Sequence, residues 1–254
     1  MKFFKYQGTG NDFIMIDDRK KTFAASEELI QRMCHRRFGI GADGLILLQE
    51  NAGIFEMVYY NSDGRPSSMC GNGGRCFVRF LSDLGLMEDS VSFLAADGMH
   101  YAELLHEYVK LQMSDVEEVN VFDNHIFVNT GSPHHVIFEE NLNDLDVQKR
   151  GAEVRYSAAY PEGVNVNFIH QLSPNRLEMR TYERGVENET LSCGTGVTAA
   201  ALSLSILGRS HDNEIKVKTR GGNLQVFFNR NGNSFSKIFL IGPAEFVFKG
   251  KFQI

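Results

Sequence analysis

Two cysteines carry the most specific chemistry in this chain. Cys70 and Cys193 each stand immediately before a Gly-x-Gly turn, Gly71-Asn72-Gly73 and Gly194-Thr195-Gly196, and each turn opens a segment of helical pattern. A thiol placed there lies against backbone N–H groups that have no acceptor within the helix, at the positive end of the helix dipole. That setting lowers a thiol pKa from about 8.5 and enriches the thiolate, which is the reactive form. The same N–H groups bind an anion such as a carboxylate, and glycine lets the ligand approach the backbone. Cys34 and Cys76 lack this context and read as small buried side chains. No C-x-x-C spacing supports a zinc site.

One activated thiol suggests a nucleophile or a base. Two in matched contexts suggest equivalent groups facing one another across an interface between lobes. Inverting a stereocentre without redox means taking a proton from one face of a carbon and delivering one to the other. A thiolate and a thiol can do this, exchanging roles when the reaction runs backwards.

The elements that must position these thiols come from a duplication. Thr9-Gly10-Asn11 is answered by Thr130-Gly131-Ser132 at an offset of 121 residues, and Gly41-Ala42-Asp43 by Gly163-Val164-Asn165 at 122. Glu56-Met57 and Tyr60 return as Glu178-Met179 and Tyr182 at 122, and Cys70-Gly-Asn-Gly returns as Cys193-Gly-Thr-Gly at 123. Matches in the same order at a nearly constant offset imply two similar domains rather than a solenoid. The expected boundaries are 1–114 for the lobe carrying Cys70 and 115–242 for the lobe carrying Cys193, with a C-terminal strand at about 243–254 returning to the first.

Each half is strand-rich with one main helix. Phe13–Asp17, Gly44–Leu48, Phe55–Tyr60 and Ser90–Leu94 predict strands, as do Asn124–Asn129, His135–Phe138, Val164–His170, Leu177–Tyr182, Glu214–Thr219, Asn223–Phe228 and Ser236–Ile241. After Cys70, residues Cys76, Phe77, Phe80, Leu81 and Leu84 recur at helical spacing and Gly85 stops the run. After Cys193, Val197–Leu207 is almost wholly apolar or small before Gly208, which predicts a helix buried nearly all round. A further helix is predicted over Leu29–Phe38. The fold class is α+β: two pseudo-symmetric lobes, each a strand layer wrapped around a central helix.

Composition closes off other classes. The chain has 254 residues, 26 Lys plus Arg against 32 Asp plus Glu and a net charge of −6, which argues against nucleic acid or an anionic membrane as partner. No apolar segment is long enough for a spanning helix, and residues 1–10 show no secretory signal. The expected setting is cytoplasmic and reducing, and a homodimer is one assembly the sequence leaves open.

The cysteine motifs also resemble a family. Asn61-Ser-Asp-Gly-Arg-Pro-Ser-Ser-Met-Cys70-Gly-Asn-Gly-Gly-Arg-Cys76 looks like the first active-site motif of diaminopimelate epimerases, and Glu183-Arg184-Gly185 with Thr190-Leu-Ser-Cys193-Gly-Thr-Gly196 looks like the second. Gly8-Thr-Gly-Asn11-Asp-Phe13, Gly131-Ser-Pro-His134 and Gly163-Val-Asn165-Val fit as well. The resemblance implies a cofactor-independent epimerase of LL- and meso-diaminopimelate, serving lysine and cell-wall precursor synthesis, with a small molecule as its partner. It implies that Cys70 and Cys193 are the acid/base pair, and that Gly71, Asn72, Gly194 and Thr195 hold the reacting carboxylate by backbone N–H groups. Asn11, Asn61, Asn165 and Arg184 would hold the distal amino-acid head, with His134 and Glu183 beside the cysteines tuning their protonation and Glu183 also contacting the substrate. No metal is implied.

Three departures from the family pattern stand out. Gly44 replaces a Gln found in many members, Ser132 replaces an Asn, and the stretch Val186-Glu187-Asn188-Glu189 sets Cys193 one residue further from Arg184. Two other readings compete. A proline or hydroxyproline racemase also uses two cysteines, but usually has His where Asn72 stands, and its substrate has no distal head for Arg184. A nucleotide-binding module is suggested by Gly39-Ile-Gly41-Ala-Asp-Gly44, but that string follows a helix and precedes a strand, the reverse of a dinucleotide fingerprint.

Overall fold

A computed structural model describes residues 1–67 and 69–253. Ser68, inside the first cysteine motif, and Ile254, the last residue of the expected returning strand, lie outside the described residues. The chain runs β1 (Lys2–Gly8), β2 (Asn11–Asp17), α1 (Glu27–Cys34), β3 (Gly44–Asn51), β4 (Ile54–Asn61), α2 (Gly71–Asp83), β5 (Ser90–Ala95), β6 (Gly98–Leu105) and β7 (Tyr108–Gln112). It continues through β8 (Val119–Val121), β9 (Ile126–Asn129), β10 (Pro133–Phe138), α3 (Val147–Arg155), β11 (Asn165–Ser173), β12 (Arg176–Glu183), β13 (Asn188–Thr190) and α4 (Gly194–Ile206). It ends with β14 (Glu214–Thr219), β15 (Gly222–Asn231), β16 (Ser234–Pro243) and β17 (Glu245–Lys251). Two compact units result, Met1–Leu111 with Gly242–Ile254, and Gln112–Ile241.

In the first unit the strands lie in the order β17-β1-β2-β3-β4-β5-β6-β7. All neighbours are antiparallel except β2 with β3 and β4 with β5, which are parallel. The second unit repeats the pattern as β8-β9-β10-β11-β12-β14-β15-β16, parallel only at β10 with β11 and β12 with β14. The internal sequence repeat is thus a repeat of topology, strand for strand. The one addition is β13, a short strand paired to β12 where the sequence carries its inserted residue.

Each unit builds its core on one helix. α2 packs against β1, β2, β3, β6 and β17, where Phe13, Phe77, Phe80 and Phe93 are fully buried. Burying a side chain of that size stabilises by about 1.5–3 kcal/mol. α4 packs against β9 to β12, β14 and β15, and Val197 to Leu202 are completely enclosed. Its small residues let strands approach on all sides, as an almost uniformly apolar helix requires. Both helices stop the same way: Gly85 and Gly208 take left-handed φ values of 70° and 66° and donate to the carbonyls of Ser82 and Ser205.

α1 departs from its predicted span. It begins at Glu27, capped by Ser26 Oγ accepting the Leu29 N–H at 3.2 Å, and ends at Cys34 instead of Phe38. The chain turns back at Gly39, where a Cβ would collide with the carbonyls of Arg32 and Met33, and Ile40 N donates to Met33 O at 2.8 Å. Phe38, which extended the apolar pattern, is 79% exposed. Among the described residues no helix is long and apolar enough to cross a membrane.

Candidate active site

In the first unit Cys70 is the N-cap of α2, with φ −116° and ψ 124°, and its carbonyl accepts the first helical bond from Gly74 N at 2.7 Å. The N–H groups of Gly71, Asn72 and Gly73 therefore have no acceptor inside the helix. The Cys70 thiol reaches Asn11 Oδ1 at 3.7 Å, and Asn72 Nδ2 donates to the same oxygen at 3.4 Å. Asn11 is oriented from behind, its Nδ2 donating to Asp43 Oδ2 at 2.6 Å. Asp12 and Asp43 are in turn bridged by Arg36, at 2.8 and 2.6 Å. Burial alone would raise the Asp12 carboxyl, but bonds from Arg36 and Lys5 outweigh it and hold it at about 2. Asn61 is exposed at the end of β4, opposite Gly44 in register, where its backbone closes the turn to Gly64 and Arg65.

In the second unit Cys193 caps α4 with φ −120° and ψ 114°, nearly the conformation of Cys70, and its carbonyl accepts from Val197 N at 2.9 Å. Its sulfur lies 3.4 Å from Thr195 Oγ1. His134 is wholly buried, and its Nδ1 accepts from Asn167 Nδ2 at 2.9 Å. Thr181 Oγ1 fixes that amide by donating to Asn167 Oδ1 at 3.0 Å, so the imidazole proton lies on Nε2. Burial, with Arg184 adding repulsion, pushes the His134 pKa down to about 3. Its Nε2 has no hydrogen-bond partner among the described residues.

Asn165 lies beside His134 in register and ties two loops together. Its amide donates to Ser132 Oγ at 2.8 Å and to Pro133 O at 3.1 Å, and its oxygen accepts from Arg184 N at 2.9 Å. Glu183 ends β12, and the half-buried Arg184 follows it in the turn. Glu187, within the lengthened link, locks this turn. Its backbone N–H donates to Glu183 O at 2.8 Å, and its carboxylate takes bonds from Arg155, Tyr156, Tyr182 and Gly185 N. Burial would raise Glu187, but those donors outweigh it and hold its carboxyl below the usual range.

Several residues of these clusters were not foreseen. Asn167 and Thr181 sit on β11 and β12 among apolar neighbours, and a polar side chain at an inward strand position was the available signal. Tyr59 explains Gly44: a Cβ at position 44 would lie 2.5 Å from the Tyr59 ring and 2.6 Å from Tyr60 O. The departures at 44 and 132 are thus built in, the first filled by an aromatic ring and the second bonded to Asn165. Cys34 and Cys76 are buried thiols, and burial raises each, Cys34 to about 12. Gly39 to Gly44 form the link from α1 to β3, which leaves the dinucleotide pattern without a following helix.

Comparison with known proteins settles the family. The sequence model described as diaminopimelate epimerase matches residues 3–119 and 126–247. The chain belongs to the diaminopimelate epimerase family. It is 54% identical over 253 residues to the diaminopimelate epimerase of Flavobacterium psychrophilum, covering 98% of this chain and 99% of that one. The diaminopimelate epimerase of Chlorobaculum tepidum is 43% identical over 255 residues, covering 96% and 98%. Among solved structures, a phenazine biosynthesis protein of the PhzF family from Bacillus anthracis has a TM-score of 0.75 at 15% identity, covering 100% of this chain and 99% of that one. A probable proline racemase from Agrobacterium radiobacter has a TM-score of 0.70 at 16% identity, covering 100% and 93%. At such identities the two structures share the fold alone with this diaminopimelate epimerase family member.

Proposed function

We propose that this chain is a cofactor-independent epimerase interconverting LL- and meso-diaminopimelate, with Cys70 and Cys193 as the paired acid and base at one α-carbon. The observation that carries the reading is the matched capping: two thiols, in the same extended conformation, each begin the central helix of one of two topologically identical units. The reacting carboxylate is held by the N–H groups of Gly71 and Asn72 on α2 and of Gly194 and Thr195 on α4, which face no acceptor within their helices. One thiolate removes the α-proton, the negative charge delocalises into the carboxylate, and the other thiol returns a proton to the opposite face. No net redox change occurs; the turnover leaves the opposite protonation state, which starts the reverse reaction, and proton exchange with solvent restores the first for another forward turnover.

Asn11, Asn61, Asn165 and Arg184 serve the distal amino-acid head, and Arg184 supplies the fork that matches a carboxylate. His134 serves as a neutral imidazole with its proton on Nε2, and Glu183, at the end of β12 before the locked turn, serves to tune the thiol protonation. A cytoplasmic setting suits a mechanism that needs both thiols reduced. The test is direct. Purified protein given LL-diaminopimelate and no added cofactor should form the meso isomer, read by chiral chromatography, and Cys70→Ala or Cys193→Ala should each abolish it. No interconversion by the folded wild-type chain, or near-wild-type turnover by either variant, overturns the reading. Turnover of free proline instead would favour the racemase.

A further inference from the structure

Arg75 is completely buried in α2, yet all four of its hydrogen bonds to the described residues end on neutral oxygens. Nη2 donates to Asn72 Oδ1 at 3.0 Å and to Thr9 Oγ1 at 3.3 Å. Nη1 donates to Gly71 O at 3.3 Å, and Nε to Pro243 O at 3.4 Å. A buried cation without a paired anion is among the costlier arrangements a fold can keep. The nearby carboxylates are otherwise engaged: Asp12 pairs with Lys5 and Arg36, and Glu245 accepts from Gln7. On β1 the neighbouring Tyr6 donates to Asp83, and on α2 the remaining titratable neighbours are Cys76, the stronger of the two but kept a neutral thiol by its burial, and Cys70. Burial lowers the guanidinium pKa to about 10, which leaves it charged at neutral pH.

The duplication supplies an internal control. Five residues after Cys193 stands Thr198, where Arg75 stands five residues after Cys70. Thr198 is also fully buried, and its hydroxyl donates to Gly194 O at 3.1 Å, the counterpart of the Gly71 carbonyl that Arg75 engages. The bond to the first carbonyl of the helix is kept in both copies. A cation is present in only one, since α4 contains no charged residue.

We propose that Arg75 is a positioning residue whose buried charge is balanced by the anions of the reaction, the Cys70 thiolate and the substrate carboxylate, making Cys70 the more readily ionised of the two thiols. The inference rests on the epimerase reading for the carboxylate alone. Arg75 acts at two levels. Its charge favours loss of the Cys70 proton to solvent in the resting enzyme. Its fork fixes Asn72 and Thr9, and through Asn72 the first turn of α2 that receives the carboxylate.

The test follows iodoacetamide alkylation against pH at low conversion, with Cys70 and Cys193 separated by peptide mass mapping. In the wild-type chain Cys70 should show a midpoint about one pH unit or more below that of Cys193. Arg75→Met should raise the Cys70 midpoint by about one unit or more and leave that of Cys193 in place. Arg75→Lys keeps the charge but not the fork, so it should hold the Cys70 midpoint within about half a unit while raising KM. A wild-type Cys70 midpoint at or above that of Cys193 overturns the proposal without any variant. So does an unmoved Cys70 midpoint in an Arg75→Met protein that retains its circular dichroism. The alkylation midpoints need no turnover, so a chain inactive on diaminopimelate would fail the function reading and leave the charge proposal standing.

Discussion

The side-chain oxygen of Asn165 accepts the backbone N–H of Arg184 at 2.9 Å, while its amide donates to Ser132 Oγ and Pro133 O. Three of the four hydrogen-bonding positions of that side chain are thereby taken up by protein. Asn165 thus sets where the turn carrying Glu183 and Arg184 stands, and Ser132 is part of the same clamp.

Removing the clamp should therefore cost both stability and substrate binding. Asn165→Ala is expected to destabilise the chain by about 1–3 kcal/mol, the cost of stranding its former partners, as read from a urea midpoint. It should also raise KM for diaminopimelate more than it lowers kcat. Wild-type KM in a destabilised variant would show that the clamp serves the fold alone.

Arg184 tests the distal head separately. A carboxylate deprived of a bidentate partner should lose about 2–4 kcal/mol of binding. Arg184→Ala should raise KM accordingly, and Arg184→Lys should recover little, because an ammonium does not reproduce the fork. Steady-state kinetics on both variants decide it, and an unchanged KM in Arg184→Ala would place the distal head elsewhere.

His134 gives a pH signature. Its folded pKa is about 3, held down first by burial and then by Arg184, against 6.5 for the ordinary side chain. Between those values the unfolded chain binds a proton that the folded chain refuses, so stability should fall as pH drops from about 6.5 towards 3. His135 shares the direction, lowered to about 4 by burial and by His125. His134→Gln and His135→Gln should each flatten part of that acid limb in thermal unfolding. An acid limb unchanged in His134→Gln would mean that the residue is protonated in the folded state.

Much of this is legible in the sequence. The matched Cys-Gly-x-Gly motifs carry their own local physics, since a glycine-rich helix start needs little tertiary context, and both caps fall where the motifs place them. α4 was readable because an unbroken apolar run leaves no exposed face. α3 was not, because Val147–Arg155 buries only Val147 and Gly151 and so shows no apolar stripe. β17, within the expected returning strand at about 243–254, pairs with β1 although its exposed residues show no alternation. Asn167, Thr181 and Arg75 were missed for a different reason. Their partners come from other strands and loops, and pairing of that kind is written in the fold rather than in local spacing.

Gly44 and Tyr59 make a steric prediction. Backbone freedom does not explain the glycine, whereas a methyl group there meets the Tyr59 ring and the Tyr60 carbonyl. Gly44→Ala should destabilise by about 1–3 kcal/mol through overpacking. Tyr59→Ala in the same chain should relieve the clash with the ring, although the Tyr60 carbonyl remains. Equal unfolding midpoints for wild type and Gly44→Ala would show that the ring gives way freely.

The two-thiol inversion itself is tested by isotope exchange in D₂O, starting from one pure stereoisomer. A base on one face takes the α-hydrogen, and the thiol on the other face, already equilibrated with solvent, returns deuterium. The product should therefore carry deuterium at the inverted carbon from the first turnover, while recovered substrate stays largely unlabelled at early times. Mass spectrometry of the separated isomers reads both. Substantial transfer of the original α-hydrogen into the product would mean that a single group serves both faces, and would contradict the account however well the two helix caps match.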